Sequence, residues 1–228
     1  MKERIDAVIV AAGSGSRLGA SVPKAFVPLC GTPMLTYSWS TFNSHPEINT
    51  IVLVVPQQLI DSTREMFPDP RTIIVGGGKE RWESAKNGIQ ASNAQWVLIH
   101  DAARPFVSPR VIDSVLSLTG AFDCGITAIP EVDTVRTFSG NIAGETIDRS
   151  KLMRVGTPQL FKRELLLELI ASAHTLAQIP TDEAMLFQAF GHTIGLAWGD
   201  PKNFKITTPE DFEIAEAMIA KNPMFLGR

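Results

Sequence analysis

Residues 5–24 read Ile5-Asp-Ala-Val-Ile-Val-Ala-Ala-Gly-Ser-Gly-Ser-Arg-Leu-Gly-Ala-Ser-Val-Pro-Lys24, an apolar run that breaks into a glycine-rich loop. Ile5–Ala11 is almost continuously hydrophobic rather than alternating, the pattern of a strand covered on both faces in a parallel sheet. Loops that leave the carboxyl ends of such strands are where ligands bind. This loop belongs to neither standard class. A dinucleotide fingerprint needs a third glycine at position 18, which is Leu18, and a P-loop needs Gly-Lys-Ser/Thr where here Lys24 follows Pro23. It offers instead small residues that bare backbone N–H groups, together with Arg17 and Lys24. One reading is a polyphosphate cradle whose cations neutralise charge that develops as a phosphorus–oxygen bond breaks. The other is a tight strand-to-helix connection carrying two solvated cations.

Outward from this strand, Thr50–Val55, Thr72–Val75, Trp96–Ile99 and Gly125–Ile129 repeat the short Val/Ile-rich pattern. Helix openings lie between and after them. Thr32-Pro33 and Ser108-Pro109 each put a proline where its fixed φ suits the first helical position. Pro209-Glu210-Asp211 brings acids to a first turn, above an apolar stripe of Phe212, Ala215, Met218 and Ile219. The alternation predicts an α/β sandwich around one mainly parallel sheet, a single domain over 1–228. Residues 133–155 depart from it. They carry partly alternating arms about a Ser-Gly-Asn turn and predict a hairpin, either lying on its own domain or offered to a second subunit.

The 228 residues are 44% hydrophobic and 20% charged, with a net charge of −3, which excludes a disordered chain. That balance gives no overall electrostatic footprint for nucleic acid or membrane, and no apolar run approaches the ~20 residues that span a bilayer. Met1–Arg4 before an apolar run imitates a signal peptide, but Asp6 interrupts the run and glycines follow, so a first strand is expected. Cys30 and Cys124 match no metal or redox spacing and are expected as reduced, packing thiols of a cytoplasmic protein.

Any anionic ligand must then meet local cations. His100-Asp101-Ala-Ala-Arg104-Pro105 sets an acid and an arginine at a strand end, where Asp101 could meet Mg²⁺ on a polyphosphate or could cap the loop and pair with Arg104. His100 reads as a packing residue, and His45, His174 and His192 show no metal spacing. Lys205 precedes the last helix and Arg149 lies on the hairpin; each alone reads as a surface cation. Covalent catalysis has no support, since neither a Gly-x-Ser-x-Gly elbow nor a Cys–His pairing occurs.

In order, Ala11–Gly19 with Pro23-Lys24, Gly77–Arg81 with Ser84, His100–Pro105, Asp148-Arg149, Thr157-Pro-Gln159, Thr181-Asp-Glu183 and Asn203–Asp211 resemble the cytidylyltransferases that join CTP to a sugar-alcohol phosphate. Within that family the closest resemblance is to the branch acting on 2-C-methyl-D-erythritol 4-phosphate. The resemblance implies a three-layer, Rossmann-like nucleotidyltransferase fold with a protruding β-arm, and a homodimer that exchanges arms. It assigns Arg17, Lys24, Arg149 and Lys205 to catalysis, and Ala11, Ala12, Gly13, Gly78 and Ser84 to CTP. Asp101, Arg104, Thr134 and Thr157 go to the acceptor, with Asp101 also at Mg²⁺. Lys79, Met153 and Gly156 depart from common family residues, the last two on the acceptor side, where a ribitol 5-phosphate enzyme would differ. A nucleotide-binding regulator without activity is the other alternative. The retention of cations on both the nucleotide and acceptor sides weighs against it.

Overall fold

The computed structural model describes residues 3–13, 22–173 and 182–222. Along the chain run β1 (Ile5–Val10), β2 (Pro28–Leu29), β3 (Thr32–Pro33), α1 (Met34–Ser44), β4 (Ile48–Val55), α2 (Ile60–Met66), β5 (Thr72–Gly76) and α3 (Arg81–Ala91). They are followed by β6 (Trp96–Asp101), α4 (Pro109–Leu116), β7 (Cys124–Pro130), β8 (Val135–Ser139) and β9 (Ile142–Ile147). The last are β10 (Met153–Lys162), α5 (Arg163–Ser172), α6 (Glu183–Ala189), β11 (Ile194–Trp198) and α7 (Pro209–Lys221). Among the described residues one large sheet has the order β11-β7-β10-β6-β1-β4-β5.

The two faces of that sheet follow from the period of two along each strand. Ala7 and Ile9 of β1 point into one cluster with Leu35 and Phe42 of α1 and Val111, Ile112 and Val115 of α4. Val8, between them, points into the other, with Ala85 and Ile89 of α3, Leu166 and Leu169 of α5 and Phe187 of α6. Every residue of β6 is buried, which is why Trp96–Ile99 reads as an unbroken apolar run; the last two, His100 and Asp101, are buried polar groups. A third cluster seats α7 through Ala215 and Ile219 on Leu29, Tyr37 and Ile206, with Phe212 and Met218 packed against it as the stripe predicts.

The helix openings have local causes. Ser108 is the N-cap of α4 with Pro109 behind it, and Thr208 and Asp211 form a reciprocal capping box at α7. Pro33 differs from expectation: it ends β3 and stands as the N-cap of α1, one residue before the helical φ it was expected to preset.

The sheet is mixed rather than wholly parallel. β10 runs antiparallel between β6 and β7, while the remaining pairs are parallel. β10 contains Gly156 and Pro158, residues that weaken a strand pattern, and its register shifts between Gly156 and Gln159. The hairpin of 133–155 resolves into β8 and β9 as a separate two-stranded sheet turning at Gly140. Arg149 lies just beyond it, in a 3-10 turn that leads into β10. Of the two thiols, Cys124 is buried as expected, but Cys30 is exposed.

α3 lies close to the sheet because position 88 has no side chain; a Cβ there would overlap Val8 and Val54. Replacing an ordinary helical glycine by alanine stabilises by up to ~1 kcal/mol, whereas overpacking costs about 1–3 kcal/mol. Gly88→Ala is therefore expected to lower stability by roughly 1–2 kcal/mol in urea unfolding; a rise in the midpoint would contradict the close approach.

Candidate active site

Strand order reverses at β1: the chain steps outward through β4 and β5, then returns to place β6 on the other side. The crevice at the carboxyl ends of these strands is where open α/β sheets bind ligands. Register makes it deep. Val10 pairs with both Val54 and Asp101, so β1, β4 and β6 end level. Their loops are tied down by Ala11 N–H to Val54 O at 2.7 Å, Gly77 N–H to Val55 O at 2.8 Å and Ala102 N–H to Val10 O at 3.1 Å. Gly77 lets two loops touch, since a Cβ on it would overlap that of Ala12.

Between these loops lies a cavity of about 540 Å³. Its lining includes Ala11, Ala12, Gly13, Lys24, Gly78, Ser84, Asp101 and Lys205, which the sequence reading had assigned to one site. Arg17 lies outside the described residues. On the α3 side, Glu83 accepts from the N–H groups of Lys79 at 2.6 Å and Glu80 at 3.1 Å as part of a capping box. Ser84 Oγ accepts the Gly78 N–H at 3.1 Å. The loop of residues 77–80 is thereby fixed to the start of α3.

Lys205 is placed by its neighbours. Ile206 is fully buried and its N–H reaches Ala103 O at 2.9 Å, while Asp211 Oδ2 takes the N–H groups of Thr207 and Thr208 at 2.6 and 2.9 Å. Lys205 Nζ then meets Asp101 Oδ2 at 2.8 Å. The other oxygen, Oδ1, accepts Arg81 Nε at 3.2 Å and Nη2 at 3.1 Å. Arg81 Nη1 meanwhile contacts both oxygens of buried Glu183, at 2.8 and 2.9 Å. Burial alone would raise the Asp101 carboxyl, but Arg81, Lys205 and Arg104 outweigh it and hold it well below the ordinary range. Burial pushes Glu183 up against the pull of Arg81. Arg81 and Glu183 occur in segments singled out by the sequence, yet neither received a role there. As the opening residues of two helices they carry no pattern that foretells contact.

Behind Asp101 runs a buried chain. Asp101 N–H donates to Thr157 Oγ1 at 3.1 Å, Thr157 Oγ1 lies 3.1 Å from His100 Nδ1, and His100 Nε2 lies 3.0 Å from Arg104 O. A carbonyl can only accept, so Nε2 carries the proton and Nδ1 accepts from the threonine hydroxyl. The imidazole is neutral, and burial brings its pKa down to about 4. It is the packing and hydrogen-bonding residue its sequence context suggests. Neither Thr157 nor Arg104 is among the residues that line the cavity; the Thr157 hydroxyl is engaged on both sides behind Asp101. Arg104 reaches Asn203 O at 3.0 Å, adjoining the acidic centre. Thr134, just before β8, and Arg149, just after β9, are exposed, and Arg149 Nη1 donates to Val132 O at 2.6 Å.

The neutral His100 makes a pH prediction for the metal-free protein, with chelator present. Its depressed pKa means that the unfolded chain takes up the proton first, so this stability is complete above pH 6.5 and is lost as pH falls toward about 4. Wild type should lose roughly 3 kcal/mol more than His100→Gln between pH 7 and 4. Parallel urea-unfolding profiles for the two proteins would contradict it.

Comparison with known proteins agrees with this geometry. The sequence profile described as "IspD: 2-C-methyl-D-erythritol 4-phosphate cytidylyltransferase" matches residues 5–221. A relative of that name from Rhodococcus jostii (strain RHA1) is 39% identical over 225 residues, covering 96% of each chain. One from Geobacillus thermodenitrificans (strain NG80-2) is 36% identical over 220 residues, covering 94% of this chain and 96% of the relative. The crystal structure of 4-diphosphocytidyl-2C-methyl-D-erythritol synthase from Anaerococcus prevotii superposes with a TM-score of 0.84 at 27% identity, covering 96% of this chain and all of that one.

Proposed function

The chain belongs to the family of 2-C-methyl-D-erythritol 4-phosphate cytidylyltransferases, and on that premise we propose how its own residues carry the reaction. It is a nucleotidyltransferase that passes CMP from CTP to 2-C-methyl-D-erythritol 4-phosphate in isoprenoid biosynthesis, releasing pyrophosphate. The observation that carries the mechanism is the cavity itself, where Ala11, Ala12, Gly13 and Lys24 share one space with Asp101 and Lys205. An acceptor phosphate oxygen attacks the α-phosphorus of CTP while the bond from that phosphorus to the bridging oxygen breaks. The acceptor is already an anion, so no general base is needed, in keeping with a buried neutral His100. Catalysis then consists of bringing two mutually repelling anions into line and neutralising the charge on the leaving pyrophosphate.

Ala11, Ala12, Gly13, Gly78 and Ser84 hold the nucleotide, Lys24 and Arg17 meet the triphosphate, and Lys205 and Arg104 orient the acceptor. Among the described residues no group of three or more His, Cys, Asp or Glu could hold a metal ion, and Asp101 is the carboxylate lining the cavity beside Lys205. One carboxylate suits Mg²⁺, which binds through one or two of them together with substrate phosphates; Oδ1 of Asp101 already takes two bonds from Arg81, which leaves Oδ2, shared with Lys205, as the oxygen that fits it. Asp101 and the triphosphate would hold it, and it would supply further neutralisation of phosphate charge. Among the described residues no helix is long and apolar enough to cross a membrane. Cys30 and Cys124 are free thiols, and on that ground we place the enzyme in the cytoplasm.

The decisive measurement is pyrophosphate release with CTP, UTP and ATP crossed against methylerythritol 4-phosphate and ribitol 5-phosphate. Turnover is expected with CTP and the former; preference for ribitol 5-phosphate would overturn the acceptor. In that assay Lys24→Ala and Arg17→Ala should each lower kcat on the order of 100-fold. An unchanged kcat with weaker CTP binding would remove their transition-state role.

We further propose a homodimer in which each arm serves the other subunit. The support is exposure: Phe138 is 82% and Ile142 74% accessible on a two-stranded sheet that one chain leaves uncovered. Arg149, beside that arm, then reaches the partner's acceptor site. Mixing Arg17→Ala with Arg149→Ala after dissociation should restore about a quarter of wild-type activity, because half the dimers are mixed and half their sites are whole. No recovery, with subunit exchange verified, would place Arg149 at its own subunit's site.

A further inference from the structure

Arg81 opens α3, where the positive end of the helix disfavours a cation, and burial adds a desolvation cost. Neither helix stability nor solvent exposure accounts for it, but its contacts do. Both oxygens of Glu183 straddle one nitrogen, Nη1, leaving only the Nε–Nη2 edge for Asp101. That edge converges on Oδ1 alone, so Oδ2 remains for Lys205 at 2.8 Å. A guanidinium not drawn aside in this way is free to lay its fork across both oxygens of a carboxylate, the geometry arginine favours. It would then compete with Lys205 for Asp101.

We propose that Glu183 and Arg81 are a positioning pair that fixes where the Lys205 ammonium stands in the cavity, and hence where the acceptor phosphate is held. The inference rests on the acceptor role given to Lys205 above. The pair ties three elements together: Arg81 begins α3 and Glu183 begins α6, two helices packed on one face of the sheet, and Asp101 ends β6. Arg81 lines the cavity beside Asp101 and Lys205, whereas Glu183 does not and acts on the site only through Arg81. Their effect passes through Asp101 to Lys205.

The experiment is a kinetic cycle on the full chain with CTP and methylerythritol 4-phosphate. Glu183→Gln keeps the shape of the side chain and removes its charge. Arg81→Lys keeps the charge and loses the fork. Each is expected to raise the KM for the acceptor about 10-fold or more and to slow turnover, because a small misplacement of a positioning group is costly. The KM for CTP should stay within about twofold. In a Lys205→Met background, Glu183→Gln should add nothing further to the acceptor KM, since its target is gone.

A loss of CTP and acceptor affinity together, or an undiminished effect of Glu183→Gln in the Lys205→Met background, would reduce the pair to structural support and overturn the proposal. So would wild-type kinetics in both single variants. If Lys205→Met alone leaves the acceptor KM unchanged, the acceptor assignment of Lys205 falls and the proposal falls with it, while wild-type turnover still reports on the transfer reaction. Should Glu183→Gln fail to fold, Arg81→Lys alone and combined with Lys205→Met gives the same reading.

Discussion

A carboxylate buried at the end of a central strand must be paired, and the pairing of Asp101 organises the site. Water cannot reach it well enough to solvate its charge, so cations from two other elements are drawn to it, Arg81 to one oxygen and Lys205 to the other. Removing one partner would strand a charge, so each helix start and loop that supplies a cation is tied to the end of β6. The site gains order from this even where the ion pairs contribute little net stability. Its cations are also held apart and aimed before any anionic ligand arrives, which lowers the cost of bringing two anions together.

The same centre separates two jobs that a single histidine could have mixed. His100 and Asp101 are adjacent in sequence but point into different surroundings, as alternation along a strand requires. The imidazole is sealed among Phe42, Thr157 and the Arg104 carbonyl and stays neutral. The carboxylate faces the cavity and stays charged. The neutral imidazole is thus kept out of the cavity lining, and charge is concentrated there.

Much of this was legible in the sequence, for definite reasons. The glycine loop, Lys24, Asp101 and Lys205 sit at strand ends or just before a helix, where local patterns reveal position in an α/β sheet. The five apolar runs became strands, unbroken where both faces are buried as in β1 and along Trp96–Ile99 of β6, while β5 at the sheet edge is only half-buried. β10 was not legible as a strand, since Gly156, Pro158 and its polar residues mask a segment that is nonetheless central. Arg81 and Glu183 were illegible as a pair because 102 residues separate them and the contact depends on how α3 and α6 pack on one face of the sheet. An acid in the first turn of α6 looks like a response to the helix dipole until its partner is seen. Arg17, assigned by resemblance, lies outside the described residues.

The position of β10 also constrains the order in which the sheet can be completed as the chain leaves the ribosome. β1, β4, β5 and β6 can assemble as soon as they emerge, since each lies beside another of the four. β7 emerges next but has no place beside β6; that place is reserved for a strand that follows the entire arm. Until residue 162 has been made, the edge of β6 stays open, and β7 waits with its apolar residues unpaired. A growing chain therefore carries an unprotected strand edge through the synthesis of about 60 residues, at the usual few to twenty residues per second. For those seconds the edge is open to foreign strands, and chaperones would be needed most then.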